Sequence, residues 1–320
     1  MRGSIKAVIV GVAAVVVAII AASSATSATS SIAGKKLCFV GAANSHPYET
    51  PFNTEFKKRA AQAKLKLIYM SQEFKAQTGA AQIRACITRK PDVIVLNGFD
   101  PSAYTSSILA AKAAHIPLIV VDGPLDKQVY PLITSWTGPN SLQEGHLAGK
   151  LLDKGMNKQG KIVVLLGFTN SKVTTDRQNG FLDQLKADGS KIKILGSVYA
   201  NFDQQDALVA SRNLITRFGS KIQGVYALDD IMATGFLQAY KESGLNGKPV
   251  VVGMGGETTA FHAMAAGTQY GTVYQSPKVD ADLAFSTAAA VLAGKSVPPL
   301  RYIPTPIVTA ANMAQYKPAF

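Results

Sequence analysis

The sequence has 320 residues, 47% hydrophobic and 17% charged, which excludes a disordered tail or a small disulfide scaffold and makes two ordinary domains the expectation. Its 33 Lys and Arg outweigh 20 Asp and Glu by a formal +13, a balance that admits nucleic acid, an anionic membrane surface or an acidic ligand and chooses none of them. Two cysteines, Cys38 and Cys86, are too few for a cysteine-rich zinc module or a disulfide-dependent fold.

The chain opens with Arg2 and Lys6, then an unbroken apolar run from Ala7 to Ala22, then a tract of small residues from Ser23 to Ser31. Basic, apolar and small in that order is the layout of a secretory signal peptide, assigned to residues 1–28 and implying a periplasmic location. An uncleaved membrane anchor is the alternative, although 16 apolar residues are short for a span. No cysteine stands at the cleavage site to be acylated. Cleavage near Ala28 leaves about +11, dispersed on polar helix faces such as Lys57, Lys58, Arg59 and Lys64 without interleaved aromatics, so nucleic acid is not an expected partner.

From Lys36 onward, short runs rich in Val and Ile alternate with segments of helical period. Strands are predicted at 37–40, 65–69, 93–96 and 118–121, with helices around 50–64, 76–89 and 101–114. The pattern pauses at Thr137-Gly138-Pro139-Asn140, where Asn140 can cap the next helix, and resumes with strands at 162–166, 192–198, 225–228, 250–252 and 272–274. A late helix over about 280–292 leads into a crossing marked by Pro298, Pro299, Pro304 and Pro306. Nearly all-apolar strands alternating with helices imply parallel sheets covered on both faces. The expected fold is therefore α/β, two doubly wound parallel-sheet lobes joined by a hinge. One lobe takes 35–138 with 277–303, the other 139–276 with 304–320.

In such sheets ligands bind beyond the carboxyl ends of the strands, which selects a short set of candidates. After the first strand come His46, Tyr48 and Glu49, a ring beside polar groups of the kind a polar cyclic ligand requires. The fourth strand ends in Asp122-Gly123-Pro124, whose carboxylate can accept two hydroxyl hydrogen bonds. Asp229-Asp230 follows the strand at 225–228, with Asp230 the better candidate for capping the helix Ile231 to Tyr240 and Asp229 the better one for a ligand. Phe202 is either core or stacking platform, and Gln275 can both donate and accept.

Enzyme motifs are weak. Gly253-Met254-Gly255-Gly256 lacks the spacing of a dinucleotide loop, there is no Gly-x-Ser-x-Gly elbow or phosphate loop, and the four histidines never stand at metal-ligand spacing. No catalytic residue, cofactor or metal is expected. Cys38 in a strand and Cys86 on an apolar helix face read as buried small hydrophobes, a disulfide being the less favoured alternative.

In its order of loops the chain resembles the type I periplasmic binding proteins, in particular the ribose-binding-like group that delivers sugars to ABC importers. The residues that carry the likeness are His46-Pro47-Tyr48, Ile116-Pro117 before Val120-Val121-Asp122, Asn140 with Gly145-x-x-Ala148-Gly149, Asp176-Arg177-x-x-Gly180-Phe181, Asp229-Asp230-x-Met232-Ala233-x-Gly235, Val251-Val252-Gly253 and Gln275-x-Pro277. The resemblance implies a ligand enclosed between the lobes, Tyr48 and Phe202 sandwiching its ring, Asp122, Asp229 and Gln275 binding its hydroxyls, and a membrane permease that recognises the closed form. Three charged clamps of ribose binders are replaced here by Gly123, Thr175 and Gly255. Each charge-assisted bond is worth about 1.5 to 3 kcal/mol, so the expectation shifts from a pentose held by those clamps to a small sugar or polyol in altered geometry, with His46, Glu49 and Glu257 as replacements and an anionic ligand disfavoured. A monomer is expected. The alternative function is a periplasmic protein presenting a sugar-like signal to a histidine kinase or chemoreceptor. Lactose-repressor-type transcription factors share the core, but need a helix-turn-helix ahead of it, where this chain has its apolar leader.

Overall fold

The computed structural model describes residues 32–320, so the export segment expected over 1–28 lies outside the described residues. Within them, twelve strands form two six-stranded sheets. The first contains β1 (Lys36–Gly41), β2 (Lys66–Ser71), β3 (Val93–Gly98), β4 (Leu118–Asp122), β5 (Ser135–Gly138) and β11 (Leu300–Tyr302), in the order β11-β5-β4-β3-β1-β2 and parallel throughout. The second contains β6 (Gln159–Leu166), β7 (Lys191–Tyr199), β8 (Gly224–Ala227), β9 (Val250–Gly255), β10 (Gly271–Tyr274) and β12 (Ile307–Thr309), in the order β12-β10-β9-β8-β6-β7, with only β12 antiparallel. The expected doubly wound, two-lobed α/β fold is what forms.

The strands show why. Along β1 and β3, Leu37, Phe39, Val93 and Val95 face one core, which includes α1 (Glu49–Gln62) and α9 (Pro277–Leu292), while Cys38, Val40, Ile94 and Leu96 face another against α2 (Ala76–Thr88) and α3 (Pro101–Ala113). With both faces buried, alternate positions are equally apolar and the strand reads as an unbroken run. The second sheet is covered in the same way by α4 (Ser141–Met156), α5 (Lys172–Ala187), α6 (Gln204–Phe218) and α7 (Asp230–Glu242), with the short α8 (Thr258–Ala265) after β9. Asn140 caps α4 as expected, its side chain accepting from the Gln143 amide at 3.1 Å.

Three short strands escape the apolar-run criterion. β5 reads Ser-Trp-Thr-Gly, inside the segment taken as a pause, and β11 and β12 each have three residues within the proline-marked crossing. Pairing supplies what their composition lacks: β5 lies between β4 and β11, and Trp136 donates its indole N–H to the Gly123 carbonyl at 2.9 Å.

The cysteines are paired, which corrects their reading as separate small hydrophobes. Cys38 and Cys86 are both wholly buried and joined in a disulfide, with Cα atoms 6.0 Å apart. Cys38 sits on the face of β1 that α2 covers, so two residues assigned to one apolar layer meet there. Among the described residues, no helix is long and apolar enough to cross a membrane.

Candidate functional site

The carboxyl ends of both sheets open onto one cleft, which with its mouth encloses about 660 Å³. Each sheet reverses its strand order beside its first strand, at β1/β3 and at β6/β8, so the loops after these strands diverge and leave a crevice. Of the nine residues selected from sequence, eight line this cleft: His46, Tyr48, Glu49, Asp122, Phe202, Asp229, Glu257 and Gln275. Thr175 is not with them. It lies in α5 beside a separate shallow depression with Asp126 and Lys172, and its hydroxyl donates to the Ser171 carbonyl at 3.3 Å.

The loop after β1 is fixed by Asn53, whose amide donates to the Ala43 carbonyl at 2.7 Å, and by His46 Nδ1, which accepts from the Tyr48 amide at 3.3 Å. Tyr48 donates its hydroxyl to Asp280 Oδ2 at 3.1 Å, tying the loop to the first turn of α9. Beside it, Glu49 Oε2 accepts from Asn97 Nδ2 at 2.7 Å. Burial pushes the Glu49 carboxyl well above its usual range, and the nearby Asp122 and Asp280 push it further.

Asp122 closes β4 in the left-handed region, at φ +63°, and among the described residues no hydrogen bond reaches its carboxylate. Three glycines make room for this. Gly123 packs against the Gly98 carbonyl oxygen so closely that a Cβ there would overlap it, and a Cβ on Gly138 would lie 2.9 Å from the Asp122 Cα. The arginine that ribose binders carry at position 123 is therefore not merely absent: the backbone here admits no side chain. Burial raises the Asp122 pKa to about 7, with Arg177 opposing and Glu144 adding to the shift.

The second lobe holds its groups by polar contacts. Asp229 caps α7, accepting from the Met232 amide at 2.7 Å, and burial lifts its pKa to about 7. The cap expected of Asp230 thus falls to Asp229, which also lines the cleft as expected, because Asp230 is the wholly buried one and accepts from the Gly256 amide, Gln269 Nε2 and Thr272 Oγ1, each at 2.7 Å. Glu257 stands at the start of α8 without capping it; burial, then Asp230 and Asp229, push its pKa to about 10. Gln275 Oε1 is taken by Arg177 Nη2 at 3.0 Å, which leaves the amide N–H groups of Gln275 as donors toward the cleft.

Sequence reasoning used Arg177 only as part of a motif, yet it lines the cleft and organises the second lobe. Its guanidinium donates to Glu144 Oε2 at 3.0 Å, to the Leu228 carbonyl at 2.9 Å and to Gln275. A signal was present: Arg177 lies in the buried stripe of α5 with Thr174, Phe181, Gln184 and Leu185, where a charge needs a partner. Also missed were Phe74, Phe99 and Phe168. With Phe202 they form a chain of rings across the mouth, Phe74 and Phe99 from the first lobe, Phe168 and Phe202 from the second. Phe74 lies 5.2 Å from Phe168, and Phe168 stands edge-on to Phe202 at 5.6 Å. Phe320 adds a further ring, edge-on to Tyr48 at 5.8 Å, while its carbonyl accepts from Thr258 in the second lobe.

The site is thus a cleft with carboxyl groups from both lobes, one arginine and a rim of aromatic rings, suited to holding a small polar molecule. Comparison with known proteins agrees with that geometry. The family profile described as periplasmic binding protein domain matches residues 37–296. The chain is 28% identical over 249 residues to the xylitol-binding protein of Mycolicibacterium smegmatis, covering 78% of this chain and 70% of that protein. It is 25% identical over 257 residues to the ribose import binding protein of Bacillus subtilis, covering 79% and 80%. Among solved structures, an ABC transporter solute-binding protein from Mycobacterium smegmatis with bound glycerol superposes with a TM-score of 0.82 at 27% identity, covering 90% of this chain and 99% of that one. From its fold, its cleft and this match over most of its length, the chain belongs to the type I periplasmic binding protein family.

Proposed function

We propose that this protein is exported, captures a small polyhydroxy solute, a sugar or polyol, between its lobes, and delivers it as a monomer to the permease of an ABC importer. The observation that carries this reading is the placement of strand-end groups from both sheets around one cleft: Asp122 and Glu49 from one side, Asp229, Glu257 and Gln275 from the other. Carboxylates accept hydroxyl hydrogen bonds, the Gln275 amide donates them, and Tyr48 and Phe202 offer flat apolar faces to the C–H groups of a ring or chain. The names of the xylitol-binding and ribose-binding relatives support a neutral polyhydroxy solute. Binding between lobes stabilises the closed arrangement that a permease reads. No observation in the molecule favours the sensing alternative.

Calorimetric titration with pentoses, hexoses, polyols and sugar acids tests the reading. Saturable binding of a sugar or polyol, abolished in Tyr48→Ala and in Asp122→Ala, is the expected result. Binding confined to a sugar acid overturns it.

A further inference from the structure

The cleft carries more acid than anything in its walls balances. Glu49, Asp122, Asp229 and Glu257 all line it, and Asp280 stands directly behind Tyr48. The one arginine in the lining, Arg177, already has Glu144, so that pair neutralises itself. The positions where ribose binders carry further cations are occupied by Gly123, which admits no side chain, and by Thr175, which lies away from the cleft.

Hydrogen-bonding capacity is skewed in the same direction. Outside the lining itself, Asn97 Oδ1, Glu144 Oε1 and Asp280 Oδ1 are buried acceptors without a partner; within it, the Asp122 carboxylate has none among the described residues. On the donor side, Arg177 is committed, leaving the Gln275 amide and His46 Nε2, which carries the ring proton because Nδ1 accepts and which has no partner among the described residues. A hydroxyl brings one donor and its own lone pairs, whereas an ammonium brings three donors and no acceptor. The aromatic rings of Tyr48, Phe168 and Phe202 in the same lining attract a cation through their faces. Among the described residues no group of three or more His, Cys, Asp and Glu is arranged to hold a metal ion.

Resting on the reading that this cleft is the ligand site, we propose that its preferred solute is a polyol or sugar bearing a protonated amine. The ammonium sits between the acidic wall of the first lobe and that of the second. Around a neutral molecule the carboxyls of Glu49, Asp280 and Glu257 hold their protons, with only the paired Arg177 nearby to offset a charge; a cation between the two walls lets them ionise and pair with it. Burial first, and neighbouring carboxyls after it, raise the carboxyl pKa values around the cleft, and a bound cation lowers them.

The test uses matched pairs that differ by one amine: xylitol against xylitylamine, glucitol against glucamine, glucose against glucosamine. In calorimetry at neutral pH the aminated member of at least one pair binds about tenfold or more tightly than its neutral partner, and binding releases protons, seen as a dependence of the heat on the buffer. Asp122→Asn and Glu257→Gln, checked as folded by their melting curves, each bring that preference down to about threefold or less. Tighter or equal binding of the neutral members overturns the amine proposal and leaves the sugar or polyol reading standing. So does an amine preference that neither substitution reduces. Failure of every pair to bind, or binding of sugar acids alone, overturns both.

Discussion

The two lobes present equivalent aspartates at the ends of central strands, yet hold them by opposite means. In the first lobe, Asp122 sits in a left-handed conformation wedged among Gly98, Gly123 and Gly138, and the neighbouring β1 is stapled to α2 by Cys38 and Cys86. In the second, Asp229 accepts an ordinary capping hydrogen bond, and Arg177 ties Glu144, Leu228 and Gln275 together. Asp122 is held by steric constraint, while the hydrogen bonds of its lobe go to Tyr48 and Glu49; Asp229 is held by a polar partner. Constraint leaves a carboxylate free of protein hydrogen bonds and ready for a ligand, while a polar network commits part of each group's capacity before any ligand arrives.

The largest effect that separates the lobes comes from the disulfide. A link across a sequence separation of 48 residues restricts the unfolded chain, and replacing both cysteines by alanine should cost about 3 to 4 kcal/mol, read by urea denaturation under oxidising conditions. If the lobes unfold separately, only the first transition moves. Next is Gly123→Ala, whose methyl group meets the Gly98 carbonyl; a loss of about 3 kcal/mol is expected, and a substitution tolerated without loss would show that the Asp122 bed is not as rigid as its packing indicates.

The buried carboxyls give a signed effect. Asp122 and Asp229 have an ordinary pKa of 3.8 and one of about 7 when folded, so the folded protein holds more protons than the unfolded chain between those values. Their contribution to stability without ligand is therefore largest at the acid end and falls as pH rises from about 4 to 7, by at most about 4 kcal/mol each, read in melting curves recorded across that window. Asp122→Asn should flatten the slope. Smallest are the local backbone effects: Asp229→Ala should be less stable than Asp229→Asn by about 1 kcal/mol through loss of the cap, and Asp122→Ala less stable than Asp122→Gly by about 1 kcal/mol because alanine resists positive φ. Equal behaviour at the two positions would erase the contrast between the lobes.

What could be read from sequence follows the same physics. Strands buried on both faces announce themselves as apolar runs, and once they are found the rule of carboxyl-end loops leads to Asp122, Asp229 and Gln275 without any tertiary information, whereas Glu257 entered only through the family resemblance. β5, β11 and β12 were illegible because their pairing, not their composition, makes them strands. Phe74, Phe99 and Phe168 look in sequence like ordinary core residues; only the approach of the two lobes makes them one rim. Cys38 and Cys86 were rightly judged buried, but burial in the same layer does not reveal a bond. That Asp229 rather than Asp230 caps α7 turns on which side chain the first turn of that helix aims at β9 and β10, a detail set by helix phase.

The crowding at Gly123 also bears on how the specificity of this cleft can change over time. A single substitution cannot place an arginine there, since the Gly98 carbonyl and the Phe99 backbone fill the space its Cβ would take and would have to move with it. The second lobe offers no easier opening at its own glycine, since Gly255 has φ +132° and a Cβ there would touch Asp230, Glu257 and Phe320 at 3.5 to 3.7 Å, so a change of solute has to come through side chains that already line the cleft.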